Sequence, residues 1–527
     1  TKGINEKKYR AISEQVINNI PAIDDWLNKN FIKDNNLIDW NNAIKNLHLF
    51  KDGKDNLSKS FRRLAFDELC ANFFTLSENR KRIKQEKIPK IFNSKNSKNI
   101  EKELSFTLTN SQKKVLTEIN NDLSSKKRMF RIIQGDVGSG KTIVSLLAIA
   151  NIIESGYQCA LMGPTEILAR QHFELAKKIF KNTNFKLDFI TGKTETNKRK
   201  KILINLEEGK TNLLIGTHAL FQKKINFKKL GLVVIDEQHK FGVKQRSELA
   251  KKGGNNCDVL LMSATPIPRT MMMSMYGDMD VSKITEKPAK RKNIITLSKP
   301  EKKINELWPF ITKQINKDNQ IFWVCPLIEE SSFLDYTSAK KKYDQINKKY
   351  PNQVGLIHGA LDKLDKENVL KKFLNRDISI LVSTTVIEVG IDFPNANLII
   401  IENANKFGLA QLHQLRGRVG RGEKQGTCIL LFKDGLSKNA VKRIKILKNS
   451  DDGFFIAEED LKLRGFGDLV GYQQSGVKNF RFADPVIHED LFNLAENYVQ
   501  KNLNNINQEK YTFLLKLFDR AEIINVE

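Results

Sequence analysis

The 527-residue chain has no apolar run near the roughly 18 residues that cross a bilayer, so no membrane-spanning helix is expected. Cysteine is scarce. Cys70, Cys159, Cys257, Cys325 and Cys428 lie far apart, without a C-x-x-C pair or a flanking histidine at ligand spacing. That argues against a disulfide framework and a zinc site, and the five read as buried thiols of a reducing cytoplasm. The first residues, TKGINEKKYR, carry no signal peptide. No internal repeat is visible at solenoid periods. Acid is in deficit: 61 Asp and Glu face 88 Lys and Arg, a net charge of +27 with a pI near 9.6. Such an excess points to a polyanionic partner, nucleic acid first. The chain is also rich in Asn and Ile, the habit of AT-biased coding, which inflates Lys everywhere. Composition alone therefore does not assign the partner.

At about 150 residues per domain the length allows three or four domains with buried cores. Residues 1 to about 95 have apolar positions at helical spacing, notably in FRRLAFDELCANFF at 61–74. A polar Lys/Asn/Ser stretch, KIFNSKNSKNIEKE, follows as a surface connection. From Phe106 short apolar runs alternate with amphipathic stretches: MFRIIQ, QCALMG, NLLIGT, LGLVVID and DVLLMS. A second series, QIFWVCPL, QVGLIHG, ISILVSTT, NLIIIEN and TCILLFK, begins near residue 300. That alternation predicts two tandem α/β domains with parallel sheets and crossover helices. EKPAKRKN at 286–293, with one Pro and four basic residues, reads as the hinge between them. After Lys433 the chain turns helical and glycine-punctuated.

The sharpest motif is GDVGSGKT at 135–142, which fits G-x-x-x-x-G-K-[ST] between an apolar strand and an apolar helix. Gly135, Asp136, Val137, Gly138, Ser139 and Gly140 would wrap backbone N–H groups around phosphates. Lys141 would add charge at the β/γ-phosphates, and Thr142 would offer a hydroxyl to Mg²⁺. LGLVVIDEQH ends a strand with two adjacent carboxylates. Asp236 can hold Mg²⁺ and Glu237 can polarise the attacking water, the division that ATP hydrolysis needs.

With those motifs in order, the chain resembles the superfamily 2 helicases, and further stretches match in turn. Gln112 in FTLTNSQ resembles the adenine-reading glutamine. PTEILARQ at 164–171, with Pro164, Thr165 and Arg170, resembles the first strand-contacting motif, and Ser263 to Thr265 the coupling motif. STTVIEVGID at 383–392, with Thr384, Gly390 and Asp392, and QLRGRVGR at 414–421, with Gln414, Arg418 and Arg421, resemble the last two motifs. Arg418 and Arg421 look like arginine fingers from a second domain; Arg416 fits that role less well and reads as structural. IDEQHKFGVKQR at 235–246, MSATPIPRTM at 262–271 and DLKLRGFGDLVGYQQSG at 460–476 narrow the resemblance to the RecG family. The last resembles that family's translocation motif, with Arg464, Gly465, Gly467, Asp468, Gly471, Gln474 and Gly476 in matching places. His358 and His413 resemble helicase-motif positions, but a lone histidine more often has a structural role.

The expectation is therefore two tandem RecA-like P-loop domains at 101–290 and 291–435. A helical N-terminal linker would occupy 1–100, and a C-terminal helical translocation-motif region 436–527. The resemblance implies an ATP- and Mg²⁺-dependent, 3'-5' DNA helicase. It would act as a double-stranded DNA translocase on branched DNA (forks and Holliday junctions) in recombination and repair. It further implies a cytoplasmic, nucleoid-associated monomer with single-stranded DNA-binding protein as a partner. The family carries an oligonucleotide-binding wedge domain before the linker, which is not seen in these residues; the chain reads as a fragment or as one whose wedge is supplied elsewhere. A transcription-repair coupling translocase and a DNA-binding scaffold clamped by ATP are the alternatives.

Overall fold

The computed structural model describes residues 5–21, 23–49, 54–222, 224–237, 254–288, 292–326, 332–359, 361–384, 393–422, 424–464, 480–506 and 508–519. Two compact units are made from interleaved segments. One comprises Thr1–Lys84, Pro268–Met279 and Arg464–Glu527; the other comprises Gln85–Ile267 and Asp280–Leu463. Among the described residues no helix is long and apolar enough to cross a membrane.

The larger unit holds two parallel sheets. The first contains β1 (Phe130–Gly135), β2 (Gln158–Met162), β3 (Leu187–Ile190), β4 (Leu213–Gly216), β5 (Leu230–Ile235), β6 (Asp258–Ser263) and β7 (Asp280–Ile284) in the order β3-β4-β2-β5-β6-β1-β7. The second contains β8 (Ile295–Pro300), β9 (Gln320–Val324), β10 (Val354–Ile357), β11 (Ile380–Ser383), β12 (Ala396–Ile401) and β13 (Thr427–Phe432) in the order β10-β11-β9-β12-β13-β8. Every central strand coincides with an apolar run, because a parallel strand covered on both faces must be apolar throughout. In β9, Phe322 and Val324 enter one core layer, while Ile321 and Trp323 enter the other.

β3, β7 and β8 were not foreseen. Each lies at a sheet edge and is only partly buried, so its residues keep polar character and give no continuous apolar signal. The helix Lys141–Glu154 is apolar nearly all round and buried from Val144 to Ile153, as a helix covered on every side must be.

The smaller unit is helical. Its long helix Lys54–Ile83 packs with Trp40–Leu49, Glu489–Asn502 and Glu509–Leu517. Trp26, Trp40, Phe66, Phe74, Phe492 and Tyr511 fill their common core. Residues near both ends of the chain thus share one core, and Arg269–Tyr276 belongs to the same unit. Arg63 is fully buried there. Its Nε donates to both Asp67 oxygens at 3.0 Å and its Nη2 to Asp25 Oδ1 at 2.6 Å, while Trp26 Nε1 donates to Asp67 at 3.1 Å. Burial alone would lower the guanidinium, but the Asp67 and Asp25 carboxylates raise it above its ordinary value.

Candidate active site: a cleft between two parallel sheets

In open α/β sheets ligands bind beyond the carboxyl ends of the strands. Here the loop after β1 runs through Gly138 and Gly140, with φ of 78° and 90°, into the N-terminus of helix Lys141–Glu154. These left-handed backbones suit glycine. At Gly140 a Cβ would also meet the Gln112 amide nitrogen at 2.3 Å. Gln112 itself braces the loop. Its Nε2 donates to the Ser139 carbonyl at 2.7 Å, and its Oε1 accepts from the Thr109 amide at 2.9 Å, half of a capping box on helix Asn110–Leu123.

Lys141 Nζ donates to the carbonyls of Gly135 and Asp136 at 2.7 and 3.0 Å. Burial lowers its proton affinity more than Glu237, Asp236 and Asp136 raise it, and Arg421 lowers it further. The net direction is down. At the end of β5, Asp236 Oδ2 meets His172 Nε2 at 2.8 Å, and Oδ1 accepts the Glu237 amide at 3.0 Å. Burial alone would raise the Asp236 carboxyl. The hydrogen bond and field of His172, the charge of Lys141 and the Glu237 amide outweigh it and hold Asp236 below the ordinary carboxylate range. Glu237 is 3% exposed and has φ of 52°, a left-handed backbone that costs a non-glycine residue about 1–3 kcal/mol. The surrounding fold imposes that strain at the strand end.

A cavity of 1040 Å³ opens at this edge. Lys141, Thr142, Asp236 and Glu237 line it from the first sheet, and Arg418 and Arg421 from the second. Arg418 is buried, and Arg421 Nε donates to the Gly417 carbonyl at 3.3 Å. Gly417 sits against the phosphate loop: a Cβ there would approach Val137 Cβ at 3.3 Å. Gln414 is half-buried on helix Leu409–Arg416 and is not among the residues lining the cavity. Arg416 is buried and donates to the carbonyls of Leu447 and Ser450 at 2.6 and 2.9 Å, in keeping with a structural role.

The coupling candidates are spread more widely. Thr165 caps helix Glu166–Ile179 by accepting the Leu168 amide at 3.3 Å, next to half-buried Pro164. Arg170 is exposed and lies over the Phe189 ring. Ser263 and Thr265 pair their hydroxyls at 3.0 Å. Thr384 is buried beside β11, and Arg464 ends helix Gly453–Arg464. Gly390, Asp392, Gly467 and Gln474 lie outside the described residues, as do Gly465, Asp468, Gly471, Gly476 and residues 238–246 of the strand-end motif.

His172 was missed in the sequence reading, although it directly follows PTEILARQ. Its partner is 64 positions away, and only the packing of β2 beside β5 brings the two together.

The DEAD/DEAH box helicase family matches residues 109–274, and the helicase conserved C-terminal domain matches 302–423. Residues 450–513 match the C-terminal part of domain 3 of ATP-dependent DNA helicase RecG. The ATP-dependent DNA helicase RecG of Bacillus subtilis is 41% identical over 481 residues, covering 90% of this chain and 70% of that protein. The chain belongs to the RecG family. The RecG helicase of Thermotoga maritima is 43% identical, covering 93% of this chain and 63% of that protein. A solved RecG bound to a three-way DNA junction superposes with a TM-score of 0.75 at 38% identity, covering 94% of this chain and 65% of that one. The chain thus spans about three-fifths of the length of several RecG relatives it matches.

Proposed function

We propose that this chain is the motor of an ATP-dependent DNA helicase that translocates on double-stranded DNA at forks and Holliday junctions, moving 3'-5'. One observation carries the reading: a single cavity lined by a phosphate loop and two carboxylates on one side and two arginines on the other. The RecG-specific match at 450–513 favours this over a transcription-repair coupling translocase. Segments 101–290 and 291–435 serve as the two RecA-like domains, with 1–100 as linker and 436–527 as the translocation-motif region.

The donor set fits Mg²⁺. A hydroxyl on Thr142 and a carboxylate on Asp236, held low by its neighbours, are hard oxygen donors at a phosphate loop, and Mg²⁺ is typically held by one or two carboxylates plus substrate phosphates. Bound ATP with Mg²⁺ supplies the phosphoanhydride and neutralises part of its charge. The loop amides from Gly135 to Gly140 and the Lys141 ammonium bind the phosphates. Glu237 orients the attacking water and takes up its proton, while Arg418 and Arg421 stabilise charge on the transferred group from the second sheet. Gln414 supports the arginines; Gly390 and Asp392 complete the nucleotide contacts. Gln112 reads adenine by turning its amide from the Ser139 carbonyl. Pro164, Thr165, Arg170, Ser263, Thr265, Thr384, Arg464, Gly467 and Gln474 contact DNA or couple it to hydrolysis. A net charge of +27 supplies phosphate affinity without base preference, so binding weakens steeply with salt. Single-stranded DNA-binding protein is the proposed partner of a monomer acting at the bacterial nucleoid.

The test is ATP hydrolysis with and without branched duplex DNA. The unaltered chain should be stimulated by DNA, and Lys141→Ala should lose about 100-fold or more in rate, the order expected when a main electrostatic contact to the reacting group is removed. Equal rates for the two proteins would exclude the motor and leave a DNA-binding scaffold.

A further inference from the structure

Within the phosphate loop, the Asp136 side chain faces away from the nucleotide cavity. Val137, Gly138, Gly140, Lys141 and Thr142 line that cavity, whereas Asp136 lines a separate small cavity with His413, Arg416 and Asp451. The Asp136 carboxylate bridges two elements. Oδ1 meets His413 Nε2 on helix Leu409–Arg416 at 3.1 Å, and Oδ2 accepts the Gly453 amide, at the start of helix Gly453–Arg464, at 3.3 Å. The other nitrogen of His413 meets Arg416 Nη2 at 2.8 Å, and Arg416 Nη1 reaches Asp451 Oδ1 at 3.0 Å. A side chain at Gly453 would have to push the Asp136 carboxylate and the His413 ring aside, since a Cβ there would fall 1.8 Å from Asp136 Oδ1 and 2.8 Å from His413 Nε2.

We infer that Asp136, His413 and Gly453 form a junction through which occupancy of the phosphate loop repositions the first helix of the RecG-specific segment. This rests on the motor reading above. Lys141 holds the backbone carbonyl of Asp136 from one side of the loop, and His413 and Gly453 hold its carboxylate from the other. A phosphate oxygen in the loop competes for the Lys141 ammonium and loosens its grip on the Asp136 carbonyl. Any rotation of the Asp136 peptide then pulls on an N-terminal amide of helix Gly453–Arg464. The fit at Gly453 leaves no room between its backbone and the Asp136 carboxylate, so a small shift of Asp136 is passed on to the helix rather than absorbed. That helix leads directly into residues 465–479, within the segment matched to RecG domain 3. His413 is a positioning residue in this scheme: it fixes the carboxylate orientation and touches no substrate.

The full chain is assayed for ATP hydrolysis with and without junction DNA as His413→Ala, His413→Gln and Gly453→Ala. His413→Ala and Gly453→Ala are expected to cut the DNA-stimulated kcat about 10-fold while DNA-free hydrolysis and the KM for ATP stay within about 3-fold, the pattern of lost coupling rather than lost binding. His413→Gln, whose amide can still donate to Asp136, should recover most of the stimulation. Hydrogen exchange over residues 453–456 should respond to ADP in the unaltered chain and not in His413→Ala. Full stimulation in both breaking variants, or an equal loss with and without DNA, overturns the junction. Absence of DNA stimulation in the unaltered chain instead overturns the motor reading, and the junction falls with it.

Discussion

Charge is buried in two opposite ways, one in the core of the helical unit and the other at the cleft of the sheet unit. In the helical unit Arg63 spends its guanidinium on Asp67, Asp25 and the Ile38 carbonyl, and Glu68 accepts the amides of Arg481, Phe482 and Ala483 at 2.7, 2.8 and 3.0 Å. In each case a side chain of helix Lys54–Ile83 is satisfied by another stretch of chain and ties that stretch to the helix. In the sheet unit Lys141, Asp236, Glu237 and Arg418 are also buried, yet they converge on the walls of a 1040 Å³ cavity. Buried charge that is closed on itself holds a structure together. Buried charge facing a cavity is held ready for a ligand that completes it, and burial pulls Lys141 down because its partners do not fully compensate.

That contrast can be broken or sharpened by substitution. Arg63→Met has the largest expected effect on stability, a loss of about 3–5 kcal/mol, because it leaves the buried Asp67 and the half-buried Asp25 carboxylates without their cation; urea unfolding monitored by tryptophan fluorescence measures it. Glu68→Gln should cost about 1–3 kcal/mol in the same assay, since a neutral amide accepts three backbone donors less well than a carboxylate. Lys141→Ala should leave the unfolding midpoint unchanged or raised while hydrolysis collapses, the signature of a group kept for function at the expense of stability. A fall comparable to that of Arg63→Met would erase the distinction between the two kinds of buried charge. Lys193→Ala removes an ion pair to Glu367 that joins the two sheet-bearing halves at their exposed rim. No measurable change in midpoint is expected there, because solvent screens the pair.

Much of the cleft was legible in the residues because its chemistry is local. GDVGSGKT sets its own loop geometry, and LGLVVIDE declares a buried strand with carboxylates at its end. The partners of those residues were not legible. His172 reaches Asp236 across 64 positions, and His413 reaches Asp136 across 277. Gln112 spends its amide on a cap and on the Ser139 carbonyl, which its motif does not announce. Nor did periodicity indicate that Phe66 and Phe492 share a core, since an amphipathic face does not name what covers it.

Unaided, the order of residues determined the central strands, the phosphate loop and the acidic strand end, because hydrophobic runs, glycine conformations and short motifs act over a few neighbours. Tertiary structure alone decided which distant groups meet: Arg418 and Arg421 opposite Lys141, Gly453 against Asp136, and residues from near both ends of the chain around helix Lys54–Ile83. Those meetings depend on strand order and packing, where contacts separated by hundreds of residues are chosen by the burial of whole surfaces rather than by any local stretch of chain.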